Sequence, residues 1–301
     1  MGKEKSKERR IHILMTRNLL YLFIICISLA ACTDRKANND AGNGADAEGK
    51  PTVSVTIEPF HYFVDQIARG KVNVNVMVPA GSNPETYEPT PRQMVSLAQS
   101  DLYLKVGHIG FETTWMKKLC DNAPQMKVTD TSRGIVPAKT ASGIADPHTW
   151  MSCTSARVIA RNICKALCTA YPQHAGEFRR NLNIFCTQLS REDAKLRKMV
   201  DKAKNRNFVI YHPALTYFAR DYVLHQWPIE EEGREPSIQQ IQSLIARAKR
   251  EHITKVFIQR EFANRNTQTF IDATGTTPIE INPLAYEWEQ QIEHVAKSIA
   301  E

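Results

Sequence analysis

Several things are missing from this sequence of 301 residues, and each absence removes a class of function. No Cys-x-x-Cys pair occurs, so a thiolate zinc site of the finger or ribbon type is rejected. There is no His-Glu-x-x-His helix and no recognisable nucleophile motif, which argues against a metalloprotease or a serine-type hydrolase. No apolar run is long enough to span a bilayer comfortably; Leu19 to Ala31 is only about 13 residues, the length of a signal-peptide core. Basic excess is also scarce where it would matter. Six of the 39 Lys/Arg and two of the 32 Asp/Glu lie in the first 31 residues, so the net charge of +7 falls to +3 beyond them. The high isoelectric point therefore reflects a targeting region, and nucleic-acid binding is not expected.

What is present begins with an address. A basic stretch, the apolar run and Leu29-Ala30-Ala31-Cys32 follow in the order of a bacterial lipobox, with Cys32 as the lipidated residue. Residues 33–50 hold no large apolar side chain and read as a disordered tether. The folded part is expected from Pro51. Cys120, Cys153, Cys164, Cys168 and Cys186 remain after Cys32; the odd number leaves at least one unpaired within the chain. Cys164 and Cys168, one helical turn apart, read as small buried apolar residues.

From Thr52 onward, alternating β-rich runs interleave with helical spacing. Strands are expected at 52–57, 72–78, 102–106, 207–211, 255–259 and 278–281, with helices between them. This is the pattern of βαβ units and parallel sheets. From His174 to about Ala203 the chain has no Pro and, after Gly176, no Gly. A rod of about 45 Å results. The fold class is therefore α/β: two lobes, each a parallel sheet flanked by helices, joined by one long rigid helix. The boundaries expected are 1–31 signal peptide, 32–50 tether, 51–173 first lobe, 174–203 linking helix and 204–301 second lobe.

Two histidines stand beside prolines at loop positions, His148 in Asp146-Pro-His-Thr-Trp150 and His212 in Tyr211-His-Pro213. Proline stiffens such an approach by fixing its own φ and restricting the residue before it. His61 and His108 sit among apolar residues and read as packed or surface groups. His174, His225, His252 and His294 are expected to face solvent, and the Glu230–Glu232 run reads as a solvated surface.

Five stretches, taken in order, resemble one family: Asn83-Pro-Glu-Thr-Tyr-Glu-Pro-Thr-Pro91, Asp146-Pro-His-Thr-Trp150, Tyr211-His-Pro213, Glu235-Pro-Ser237 and Asn282-Pro-Leu-Ala-Tyr-Glu-Trp288. The chain is similar to the metal-binding solute-binding lipoproteins of bacterial zinc and manganese ABC importers, the cluster A-I type. The resemblance covers most of residues 51–301. It implies a metal between the lobes, with Glu85, His148, His212 and Asn282 at the four ligand positions. Two of these depart from the family, which usually has a histidine where Glu85 stands and an aspartate where Asn282 stands. Glu280, two residues before Asn282 and on the same strand face, is a reserve ligand. The His-rich loop of many zinc members is missing, since residues 120–145 contain no histidine.

Two imidazoles and one carboxylate suit Zn²⁺, with Mn²⁺ as the alternative. The resemblance further implies no catalysis, an ABC permease as partner, a lipid anchor on a bacterial membrane and a monomeric protein facing the periplasm or exterior. The competing readings are a zinc-dependent hydrolase with Glu85 as general base, and a degenerate family member that binds another ligand.

Overall fold

The computed structural model describes residues 49–140, 143–230, 233–259 and 265–301. The signal segment, Cys32 and all but the last residues of the tether lie outside these.

Two four-stranded sheets organise the chain. The first has β1 (Thr52–Val55), β2 (Asn73–Val76), β3 (Ser100–Lys105) and β4 (Lys127–Asp130), in the order β2-β1-β3-β4. The second has β5 (Asn207–Ile210), β6 (His225–Pro228), β7 (Lys255–Gln259) and β8 (Thr277–Ile281), in the order β6-β5-β7-β8. Every pairing is parallel. The two sheets thus share one topology, and in each the strand order reverses between the two central strands. Such a reversal opens a crevice at the carboxyl ends of those strands. β4 and β6 were not expected; both are short edge strands, and β6 ends in a proline that an edge tolerates.

Helices cover the sheets. In the first lobe they are α1 (Glu58–Ala68), α2 (Pro91–Ala98), α3 (Gly110–Asn122) and α4 (Cys153–Ala170). A 3₁₀ turn at Pro172–His174 leads into α5 (Ala175–Val200), the long helix, 26 residues and about 39 Å. The second lobe adds α6 (Thr216–Asp221), α7 (Ile238–Arg250), α8 (Arg265–Thr274) and α9 (Trp288–Ala300). Capping boxes start two of them: Thr90 with Gln93 before Pro91, and Ser237 with Gln240. No helix among the described residues is long and apolar enough to cross a membrane.

The core is not divided between the lobes. One apolar cluster joins Val53, Phe63 and Leu104 of the first to Phe185 of α5 and to Phe208, Phe257 and Trp288 of the second. A smaller cluster, Val209, Tyr211, Ile229, Ile241, Ala248, Ile253, Val256 and Phe270, lies apart from it, with α7 and α8 on the other face of the second sheet. The described residues accordingly form one compact unit.

Candidate metal centre

Both Pro-flanked histidines sit on short turns. His212 follows the carboxyl end of β5, and its backbone is held by Gln259, the last residue of β7. The Gln259 amide donates to the His212 carbonyl at 2.7 Å, and its Oε1 accepts the His212 amide at 3.4 Å. His148 lies on the segment between β4 and α4. The Asp146 carboxylate accepts its backbone amide at 2.8 Å and contacts its Nδ1 at 2.9 Å, so one side chain fixes both turn and ring.

The two rings meet. Nε2 of His148 is 3.3 Å from Nε2 of His212, with ring centroids 5.0 Å apart. Behind each ring stands a buried carboxylate. Asp146, 1% exposed, contacts His148 Nδ1; Glu230, 3% exposed, contacts His212 Nδ1 at 3.0 Å. A carboxylate accepts the Nδ1 proton and leaves the Nε2 lone pair for a metal. Two such lone pairs turned on each other repel, unless a proton or a cation lies between them. Zn²⁺ bound to nitrogen at about 2.0–2.1 Å in a tetrahedron separates two ligand nitrogens by about 3.3–3.4 Å. The observed spacing fits that bite.

Each carboxylate has further support. Asp146 Oδ2 accepts the Thr216 hydroxyl at 2.6 Å, and the Asp146 carbonyl accepts the Tyr217 hydroxyl at 2.9 Å. Burial alone would raise the Asp146 pKa, but His148 and the Thr216 hydroxyl outweigh it and hold the group below its ordinary value. Glu230 Oε1 accepts the Gly233 amide. Glu230 corrects the reading of the 230–232 run as solvated surface: its side chain is an internal partner of His212. Glu231 and Glu232 lie outside the described residues. Asp146 and Glu230 thus place two buried carboxylates directly behind the two rings.

The other candidates are placed differently. Glu85 is exposed, on the loop after β2. Its amide is tied to Asn83 Oδ1 at 2.9 Å, and its carboxylate lies over Gly110, where a Cβ would collide with Oε2. Asn282 is exposed, and its Oδ1 accepts the Leu284 amide at 3.0 Å, closing the turn at Pro283. Glu280 is an exposed residue of β8, whose carbonyl contacts His294 Nε2 at 3.0 Å. The structure thus brings His148 and His212 together. Among the described residues, no group of three His, Cys, Asp or Glu side chains is placed to hold a metal.

The Asn282–Trp288 stretch contributes in another way. Pro283 gives its carbonyl to the indole N–H of Trp150 at 2.7 Å, and Trp288 gives its indole N–H to the carbonyl of Trp150 at 2.8 Å. Two of the sequence motifs are therefore bonded to each other, and the turn carrying His148 is clamped from the second lobe. His61 is also more than a packed group. Its Nδ1 lies 3.1 Å from Glu58 and its Nε2 3.3 Å from Asp65, and Tyr286 donates to that Asp65 at 2.7 Å.

Comparison with known proteins places the chain among metal-uptake components of the same fold. The family model described as ZnuA, zinc-uptake complex component A, periplasmic, matches residues 53–301. A crystal structure of ZnuA is 35% identical, covers 83% of this chain and 98% of that one, and superposes with a TM-score of 0.80. The manganese ABC transporter substrate-binding lipoprotein PsaA of Streptococcus anginosus is 27% identical over 274 residues, 85% of this chain and 85% of that protein. The zinc-binding lipoprotein AdcA of Streptococcus pneumoniae is 26% identical over 285 residues, 89% of this chain but 55% of that longer protein.

Proposed function

The chain belongs to the periplasmic zinc-uptake component A family, and on that premise we propose that it captures a divalent transition metal outside the cytoplasmic membrane and delivers it to an ABC permease. Zinc is the first candidate cargo and manganese the second. The protein is a binding component and not an enzyme; it is exported and held at a membrane by its lipid anchor.

One observation carries the reading: two imidazoles whose Nε2 atoms stand 3.3 Å apart, each with a buried carboxylate at Nδ1. Neutral imidazoles are borderline donors, so zinc is favoured over the harder manganese ion. In this proposal His148 and His212 are the fixed ligands. Glu85 is the third, because its loop is exposed and its carboxylate rests on Gly110 without a salt-bridge partner among the described residues. Asn282 keeps its turn, with Oδ1 on Leu284, and water completes the shell.

Metal analysis of the chain, purified without chelators, tests this beside Glu85→Ala and Asn282→Ala. The expected result is close to one zinc per chain in the wild type, a weakened or lost ion in Glu85→Ala and little change in Asn282→Ala. A wild type that carries no metal and shows no thermal shift with zinc or manganese would sink the proposal. Metal-dependent turnover of ester, peptide or phosphate substrates would instead favour the hydrolase reading.

A further inference from the structure

Two cysteines that the histidine pair does not use lie together on α4, which packs on α5. Cys164 and Cys168 are one turn apart on α4, and their sulfurs are 3.9 Å from each other. Cys164 is buried and Cys168 is partly exposed. Cys186 is on α5, the helix that packs on α4. The Cys168 sulfur is also 3.6 Å from the carbonyl oxygen of Ala175. All five described cysteines are free thiols.

The two thiols are within hydrogen-bond reach of each other; sulfurs this close can also be joined by a disulfide or by a metal, and helix geometry separates those two. A disulfide needs Cβ atoms about 3.5–4.5 Å apart. Residues four apart on a helix hold their Cβ atoms about 5–6 Å apart. Closing the bond would unwind a turn of α4 whose Ile163 and Leu167 are fully buried. A metal makes no such demand. With zinc–sulfur bonds of about 2.3 Å, a tetrahedral ion sets its two sulfurs about 3.8 Å apart. The helix already holds them at that bite.

We propose that Cys164 and Cys168 form a second metal site, independent of the histidine pair, for a single thiophilic cation of the Zn²⁺ or Cd²⁺ class. Each sulfur exchanges its proton for a bond to the metal, two protons pass to solvent, and no electron is transferred. The remaining coordination positions open on the Cys168 side, toward the Ala175 carbonyl and water. Burial, reinforced by the neighbouring Cys168, pushes the Cys164 thiol up to about 12. The cation must displace those protons, so binding strengthens as pH rises.

Cadmium titration of the full chain carrying His148→Ala and His212→Ala, kept reduced, tests the proposal apart from the histidine site. Sulfur-to-cadmium charge transfer absorbs in the ultraviolet, and imidazole or carboxylate ligation does not produce that band. The expected result is a band that saturates at one cadmium per chain and is lost in Cys168→Ser. Cys164→Ser should lose it too, but the partly exposed Cys168 is the variant whose folding is not at stake. Cys120→Ser should retain it. Absence of the band, or its survival in Cys168→Ser, overturns the proposal. So does a Cys164–Cys186 disulfide found by peptide mapping of protein purified without reductant. Failure of zinc to bind at His148 and His212 would leave this result untouched.

Discussion

The two imidazoles face each other across 3.3 Å, yet they are held in different ways. His212 is supported within its own lobe, by Glu230 at its ring and Gln259 at its backbone. His148 is supported from the other lobe. Its partner Asp146 accepts the Thr216 hydroxyl, and the turn is pinned through Trp150 to Pro283 and Trp288. The second lobe can thus shape its own half of the pair, whereas the His148 half, set locally by Asp146, also draws bonds from the other lobe. This tells against free hinging. The core runs through both lobes, and indole N–H bonds buried in it would lose their partners if the cleft opened widely. The candidate metal arms, by contrast, are exposed: Glu85 on the loop after β2 and Asn282 on the turn after β8. A change that admits or releases the ion at low cost would occur at such a loop, where little apolar surface is disturbed.

The largest effect should come from breaking the clamp outright. Trp150 is fully buried and bonded at both its indole and its carbonyl. Trp150→Ala is expected to cost about 3–5 kcal/mol, the range for removing a buried aromatic. Urea unfolding measures it. The half-buried Trp227, with its ring under Arg247 at 3.9 Å, is the control; Trp227→Ala should cost clearly less. Equal losses would mean that the contacts between the lobes have no special weight.

Next come the carboxylates behind the rings. Asp146→Asn and Glu230→Gln should each weaken zinc binding by about 10–100-fold, since each removes the acceptor that fixes a ligand tautomer. Competition with a chelating dye reads the affinity. An effect from Asp146→Asn alone would show that Glu230 is merely a buried acid and would return His212 to a passive role.

Thr216→Val sharpens the comparison without touching either ring. It deletes the hydroxyl that reaches from α6 to Asp146 at 2.6 Å and keeps the shape of the side chain. A hydrogen bond to a charged group suggests a loss of about 1.5 kcal/mol. The loss should appear in thermal unfolding, with zinc affinity reduced through His148. Unchanged stability would place the support of Asp146 wholly within its own turn.

Much of this arrangement was legible in the residues, and the rest was hidden for physical reasons. The spacing predicts the long helix over 174–203 and it runs over Ala175–Val200, because an uninterrupted helical period leaves little choice. His148 and His212 stood out because proline frames both. The two edge strands were missed: Lys127–Asp130 and His225–Pro228 have four residues each and little apolar alternation. That omission explains the misreading of Glu230. In a run of three acids nothing marks one as internal, and its burial follows from β6 pairing with β5, which turns the chain back toward His212. The bonds between Trp150 and the 283–288 stretch join residues 133 and 138 positions apart, beyond what local pattern records.

The smallest expected effect concerns His61, a second contact between the lobes. Its ring lies between Glu58 and Asp65 of α1 and packs edge-on to Tyr286 at 4.9 Å, while Tyr286 donates to Asp65. Burial opposes charge on this ring, but the hydrogen bonds and charges of Asp65 and Glu58 outweigh it and raise its pKa from 6.5 to about 9. Glu287, beside Tyr286, adds negative charge to the same surface. A pKa raised by folding gives stability that is complete below the unfolded value and disappears as pH rises through the folded one. Wild-type stability should therefore decline from about pH 6.5 to about pH 9 relative to His61→Gln, and the two should run parallel above that. Denaturant melts at a series of pH values measure the difference. If the two proteins run parallel from pH 6 upward, His61 is not charged in the folded protein, and this contact between the lobes rests on the Tyr286 hydroxyl and ring without help from charge on His61.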